Sequence, residues 1–246
     1  MRTKKTTPYL YMLPGCAMVL VFVYIPVIAN CVYSFFRLSS YSAGMKFVGL
    51  DNYIRFFHNE SLGIMLRNNL LYCVISLIVQ VGFGTVIALL LESKLASSRF
   101  RNAFRNIYYI PALISLTAVG LMFTFIYEPN LGLLNSAFKA LGLTSMTQSW
   151  LGDSKIAIYC IIAMSQWQYT GYITLLMVVA FQNVSPDYIE AASIDGAGPV
   201  RRAISVVLPL AKEQLLVCSI ITVIGAFKLF TEVYSTTAGG PGNSTQ

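Results

Sequence analysis

The sequence is poor in charged residues and contains a single histidine. Only 11% of its 246 residues are charged, whereas 56% are hydrophobic. Soluble domains carry about 25% charged residues. A soluble core could not bury so much apolar surface, so the composition excludes an ordinary globular domain and predicts an all-α integral membrane protein.

The residue sets that most enzymes need are also missing. His58 stands alone, and the five cysteines are scattered without a Cys-x-x-Cys pair, so neither a metal site nor a disulfide framework is indicated. No G-x-x-x-x-G-K-[ST] segment occurs, so the chain lacks this phosphate-binding loop. We therefore expect no enzymatic activity, no metal and no cofactor in this chain.

Long apolar runs dominate the rest of the sequence. Five of them approach or exceed the roughly 20 residues that cross a bilayer, and in lipid such segments must be helices to satisfy their backbone groups. The net charge of +7 comes from basic residues that flank these runs, so lipid headgroups explain it better than nucleic acid does. The predicted spans are residues 9–36, 69–91, 107–127, 156–181 and 213–234.

The positions of the basic residues predict the orientation in the membrane. Clusters precede the first span and fill the connection between the second and third, which places both on the cytoplasmic side by the positive-inside rule. The long connection 182–212 then lies on the same side. The residues concerned are Arg2, Lys4, Lys5, Lys94, Arg99, Arg101, Arg105, Arg201, Arg202 and Lys212.

This connection contains the segment 190–209, which reads EAASIDGAGPVRRAISVVLP. Ser185 and Pro186 are typical of a helix start, and Gly196 is typical of a helix end. We expect a short helix between them, followed by a restart at Gly198-Pro199. Asp195 and the two arginines would be costly at the bilayer centre, so the segment is predicted to stay outside the lipid.

The spacing of this segment resembles the cytoplasmic EAA loop of the permease subunits of bacterial ABC importers. In that family the loop contacts an ATP-hydrolysing subunit. The resemblance implies the same role for Glu190, Ala191, Ala192, Asp195, Gly196, Leu208 and Pro209. Residues 47–53, 105–111, 132–135 and 238–245 resemble the sugar-importing branch, of maltose and glycerol-phosphate type.

The resemblance implies a single permease domain over residues 1–246 with the type I ABC importer fold, in a bacterial plasma membrane. The implied partners are a second, homologous permease, two ATP-binding subunits, an extracytoplasmic sugar-binding protein and the bilayer, with no nucleic acid. ATP would be bound by the partner subunits. The family has six spans and this sequence predicts five, so we expect the chain to be truncated before its last helix.

The fourth predicted span carries a polar and aromatic stripe. Ser165, Gln168, Tyr169 and Tyr172 follow the spacing i, i+3, i+4 and i+7, which puts them on one helix face. Hydroxyl, amide and ring groups suit a sugar, so the stripe is a candidate substrate path; hydrogen bonds between helices are the alternative. Thr222 on the fifth span is a further candidate.

The remaining polar groups in the spans point less clearly to function. Lys228 and Glu232 lie four residues apart, so they are interpreted as a neutralised pair near the outer surface, and Gln80 as a packing residue. An ion-coupled secondary transporter would need acidic groups or histidine in mid-span, which are nearly absent. A membrane enzyme would need a catalytic set that the sequence lacks.

Overall fold

A computed structural model describes residues 7–37, 44–93 and 97–246 of this chain. Arg2, Lys4, Lys5 and Lys94, which support the predicted orientation, lie outside these ranges. The described residues form two compact units, Met1–Leu62 and Gly63–Gln246. The single permease domain over residues 1–246 stays a prediction.

The first unit begins with an apolar helix that runs from α1, Thr7–Val19, through the π-helical turn Leu20–Tyr24 into α2, Ile25–Tyr33. From Tyr9 to Tyr33 none of its side chains is buried, as expected for a helix surrounded by lipid or by another protein. A short hairpin pairs β1, Phe36–Arg37, with β2, Lys46–Phe47, in antiparallel register.

Helix α3, Asp51–Phe57, completes the first unit, and an ion pair links it to strand β1. Asp51 accepts from Nη2 of Arg37 at 2.5 Å and from Nε of Arg55 at 3.2 Å. Ion pairs in the described ranges are confined to these two.

The second unit is a bundle of helices of unequal length. Its α-helical segments are α4 Ser61–Ser76, α5 Gly84–Glu92, α6 Ser98–Tyr109, α7 Leu116–Ile126, α8 Leu133–Ala140, α9 Ala157–Gln182, α10 Pro186–Ile194, α11 Pro199–Arg202, α12 Leu208–Leu210, α13 Lys212–Ala226 and α14 Thr231–Thr236. The π-helical segment Leu77–Phe83 joins α4 to α5, and Ala203–Val207 joins α11 to α12.

Helix α9 is the centre of this bundle. It packs against α5, α6, α7, α13 and α14, and most of its residues are buried. Gly171 allows α6 to come close, because a Cβ at this position would clash with the backbone carbonyl of Tyr108. Thr170 and Thr174 satisfy their hydroxyls within the helix, donating to the carbonyls of Gln166 and Thr170.

Two of the predicted spans are interrupted. The third, 107–127, is wrong as one helix: α6 continues as a 3₁₀ turn, Ile110–Leu113, and the chain then bends by 96° into α7. Pro111 favours the interruption, and Ser115 caps the new helix by accepting from the N–H of Ala118 at 3.3 Å.

The fifth predicted span, 213–234, is also wrong as one helix. Helix α13 ends at Ala226, and a turn precedes α14. At its other end, α13 meets the helical stretch Pro199–Leu210 at an angle of 70°.

The second and fourth predicted spans correspond to continuous helices. The first, 9–36, is helical as far as Tyr33, but its predicted end is wrong because Phe36 lies in β1. By length and composition, Tyr9–Tyr33 and Ser61–Glu92 could each cross a membrane, and each bent pair, α6 to α7 and Pro199–Leu210 to α13, would add one more. Helix α9 has 26 residues, or about 39 Å of length. Its middle is more polar than that of Ser61–Glu92, because Ser165, Gln166, Gln168 and Thr170 lie close together there.

Candidate functional site

A cavity of about 500 Å³ opens inside the second unit, between α4, α6, α7, α9, α13 and α14. Such a volume suits a small ligand. The wall is mostly apolar and aromatic, with a few polar groups. Its polar and aromatic members are Tyr72, Gln80, Tyr109, Tyr169, Tyr172, Thr222, Lys228 and Glu232.

Three of the five predicted substrate-path residues lie on this wall. Tyr169 and Tyr172 reach it from α9, and Thr222 reaches it from α13. Tyr169 lies about 18 Å from the start of α9, close to the middle of the helix.

Ser165 and Gln168 are not among the residues that line the cavity. Gln168 is 2% exposed, and its Nε2 donates to the carbonyl oxygen of Ile114 at 3.1 Å. Ile114 lies at the bend between α6 and α7, so Gln168 fastens α9 to that bend. Ser165 is fully buried. Gln168 therefore has the geometry of a structural contact, whereas Oγ of Ser165 has no hydrogen-bond partner within the described protein.

Thr222 is one of several residues whose buried hydroxyl lacks a partner, and among them it is the one that lines the cavity. The residue is 5% exposed, and its Oγ1 has no hydrogen-bond partner within the described protein. A buried polar atom without a partner is costly. Gly225, one helical turn later on the same wall, leaves open space beside it.

The sequence interpretation of Lys228 and Glu232 as a pair on one helix face is wrong. The break after Ala226 puts Lys228 in a turn and Glu232 on α14, and no ion pair joins them. Both line the cavity, as do Gln80, Tyr72 and Tyr109. A 3.6-residue periodicity within one span could not find these residues together, because they come from four parts of the chain. Tyr72 and Gln80 share the helix Ser61–Glu92, and the other three lie elsewhere.

The segment after α9 has the shape that its sequence predicts. Oγ of Ser185 caps α10 by accepting from the N–H of Asp187, and Pro186 is the first residue of the helix. Gly196 follows the helix with a φ of +76°, which glycine adopts without strain. The N–H groups of Gly196 and Ala197 return to the carbonyls of Ser193 and Ala192, which closes the helix end.

Helix α10 presents its side chains to the outside. Glu190, Ala191 and Asp195 are exposed, Ala192 is half-buried, and Ile194 is 87% exposed. An exposed helix that carries both apolar and acidic side chains is a surface suited to a protein partner.

This helix is joined to the cavity wall through a short chain of contacts. A guanidinium nitrogen of Arg202 donates to Oγ of Ser193, which ties α10 to α11. The helical stretch then continues through Leu208 and Pro209 of α12, with Leu208 packed against the core around α9. After the 70° bend, the chain enters α13, which carries Thr222.

Comparison with known protein families shows to which family this chain belongs. The profile of the family described as "Binding-protein-dependent transport system inner membrane component" matches residues 62–246, which include the whole second unit. The chain belongs to this family. It is therefore a permease component of an ABC transport system, and its role is transport across a membrane.

Individual relatives extend the similarity over almost the full chain. The chain is 41% identical to the probable ABC transporter permease YurN of Bacillus subtilis, covering 98% of this chain and 82% of that protein. It is 33% identical to the permease AraP of the arabinooligosaccharide transport system of Bacillus subtilis, covering 94% and 72%. It is 32% identical to the trehalose/maltose permease MalF of Thermococcus litoralis, covering 96% and 79%.

Solved structures agree on the fold. A chain of a bacterial ABC transporter that imports the acidic polysaccharide alginate superposes with a TM-score of 0.81 at 21% identity, covering 96% of this chain and 78% of that one. The same TM-score is found for the alginate transporter in complex with an alginate pentasaccharide-bound periplasmic protein. The ABC importer permease fold is thus confirmed.

Proposed function

We propose that this chain is the permease subunit of an ATP-driven sugar importer, and that the cavity is its half of the sugar path. The observation that carries the proposal is the pairing of aromatic rings with buried polar groups on one cavity wall. Tyr169 and Tyr172 offer rings for the C–H faces of a sugar, and Thr222 offers a hydroxyl without a protein partner. Relatives named for arabinooligosaccharide and for trehalose/maltose transport support the sugar class.

The segment from Ser185 to Leu210 is proposed to couple this cavity to ATP hydrolysis. Exposed α10 would dock on an ATP-binding subunit through Glu190 and its neighbours. A displacement of α10 would reach α13 through the Arg202–Ser193 contact and the helical stretch up to Leu210. ATP would favour one conformer, and a shift from 1:99 to 99:1 needs about 5.5 kcal/mol of differential binding.

The partners follow from this assignment. We propose a second, homologous permease that completes the cavity, two ATP-binding subunits that hold the ATP, and an extracytoplasmic protein that delivers the sugar. The periplasmic protein in the alginate complex is a precedent for the last. The segment around α10 would face the cytoplasm, as would the amino terminus, in a bacterial plasma membrane.

Reconstituted uptake tests the proposal. The chain, its partner permease, the ATP-binding subunits and the binding protein would be assembled in proteoliposomes with labelled arabinooligosaccharide, lactose or maltose outside. We expect ATP-dependent accumulation of at least one of these sugars, and none when the ATP-binding subunits are omitted. Uptake driven by a proton gradient without ATP, or no uptake of any saccharide, would overturn the proposal.

A further inference from the structure

Glu232 is a buried carboxylate on the cavity wall. It lies on the short helix α14 and is 5% exposed. Its backbone carbonyl accepts hydrogen bonds from the hydroxyls of Ser235 and Thr236. Within the described ranges, its side chain forms neither an ion pair nor a hydrogen bond to another side chain. No cation or side-chain donor in these ranges therefore pairs with the carboxylate.

A buried carboxylate without a cationic partner is unfavourable, because burial removes part of its hydration and no opposite charge compensates for the loss. Lys228 is the basic residue on the same wall, but it is exposed and lies beyond ion-pair distance of Glu232. A ligand that enters the cavity can supply the missing donor.

The surroundings of Glu232 narrow the chemistry of such a ligand. Tyr72 and Tyr169 present aromatic rings on the same wall, and rings attract cations through their electron-rich faces. Thr222, also on this wall, has an unpaired hydroxyl that can bond to a sugar hydroxyl. In its ionised form, which an ammonium ligand stabilises, the carboxylate accepts hydrogen bonds from ammonium and hydroxyl groups and repels another carboxylate.

We propose that Glu232 contacts the transported sugar and sets a charge preference, so that saccharides with an ammonium group bind better than neutral ones and carboxylated ones bind worst. This inference rests on the cavity being the sugar site of the proposed function. It differs from the transport of an acidic polysaccharide by the structurally similar alginate importer.

A matched set of ligands tests the charge preference. The complete transporter in nanodiscs would be titrated at pH 7 with D-glucosamine, D-glucose and D-glucuronate, with binding followed by saturation-transfer NMR. The wild type should bind glucosamine at least about tenfold more tightly than glucuronate, as expected for a charge-assisted bond, with glucose between them. Glu232→Gln keeps the shape and removes the charge, so it should bring the three affinities together.

Tyr234→Phe is the control, because Tyr234 is exposed, lies on the same short helix and does not line the cavity. It should keep the wild-type order, and recovery of the purified complex shows that both variants assemble. If Glu232→Gln leaves the order unchanged, or if the wild type shows no order, the role of Glu232 is refuted while the sugar site stands. If none of the three sugars binds the wild type, the charge preference is refuted, while the sugar site is decided by the uptake experiment with arabinooligosaccharide, lactose and maltose.

Discussion

The segment from Ser185 to Leu210 is largely exposed and continuous in sequence, whereas the cavity is assembled from residues between Tyr72 and Glu232 that are distant in sequence. In the segment, each structural role belongs to a local residue: Ser185 caps, Pro186 starts and Gly196 ends the helix. In the cavity, neighbours such as Gln80, Thr222 and Glu232 are far apart in sequence. Mutations in the segment should therefore impair coupling to ATP hydrolysis, whereas mutations in the cavity should impair sugar binding.

The largest effect is expected from Gly196→Pro in the exposed segment. Proline fixes φ near −65°, whereas this position has a φ of +76°, and it also removes the N–H that donates to the carbonyl of Ser193. The end of α10 should therefore change conformation. ATP-driven uptake should be abolished, while the chain still inserts into the membrane. Proteoliposome uptake and copurification of the ATP-binding subunits measure the two consequences.

Gly198→Ala is the matched control, since Gly198 has a φ of −66° and open space around it. It should keep near wild-type uptake. Glu190→Lys changes an exposed charge without touching either helix end, and it should also weaken copurification. Normal assembly and uptake in both Gly196→Pro and Glu190→Lys would show that this segment does not couple.

Gly171→Ala addresses the packing that holds the cavity together. The new methyl group would clash with the backbone carbonyl of Tyr108, so α6 must move away from α9. Overpacking of this kind costs about 1–3 kcal/mol of stability. The thermal unfolding midpoint of the purified complex should fall.

Gly63→Ala serves as the control for that measurement, because Gly63 lies in helix α4 with open space around it. Its midpoint should stay the same or rise slightly, since alanine favours helices. Equal midpoints for Gly171→Ala and the wild type would mean that α6 and α9 are not held as closely as described.

Thr222→Val should separate binding from packing within the cavity. The variant replaces a hydroxyl that has no protein partner, so the amount of folded complex should not fall. If the hydroxyl bonds to the sugar, its loss costs about 1 kcal/mol, or roughly a fivefold rise in the half-saturating sugar concentration. Uptake with varied sugar concentration measures this change.

Gln168→Leu is the contrasting variant, because the side-chain amide of Gln168 donates to the carbonyl of Ile114 and does not line the cavity. It should lower the yield of complex and leave the half-saturating concentration unchanged. The opposite pattern, with Gln168→Leu changing sugar affinity and Thr222→Val changing yield, would exchange the roles assigned to these residues.

The smallest effect is expected outside both regions, at Glu128 after α7. The backbone N–H of Leu131 donates to its carboxylate, with further support from Asn130, and holds its pKa below the ordinary 4.5. A carboxylate with a lowered pKa stabilises the folded state at pH values above its ordinary pKa. This stabilisation is lost as the pH falls through the lowered pKa. Unfolding midpoints of the wild type and Glu128→Gln should therefore differ slightly at neutral pH and converge in acid.

The features that could be predicted from the sequence are those that depend on composition and on neighbouring residues. The scarcity of charge predicts a membrane protein, and caps and glycines define α10. The predicted span 156–181 nearly coincides with α9, Ala157–Gln182, because a long apolar run flanked by polar residues fixes both helix ends. The EAA spacing predicted the family to which the chain belongs.

The tertiary structure decided which polar groups face the cavity. Periodicity put Ser165, Gln168, Tyr169 and Tyr172 on one face, but a buried helix has neighbours on several sides, so part of that face bonds to other helices. The breaks near Ile114 and after Ala226 reoriented the residues that follow them, and the second break put Glu232 on the cavity wall. Their positions depend on packing between distant segments, which a local sequence pattern does not encode.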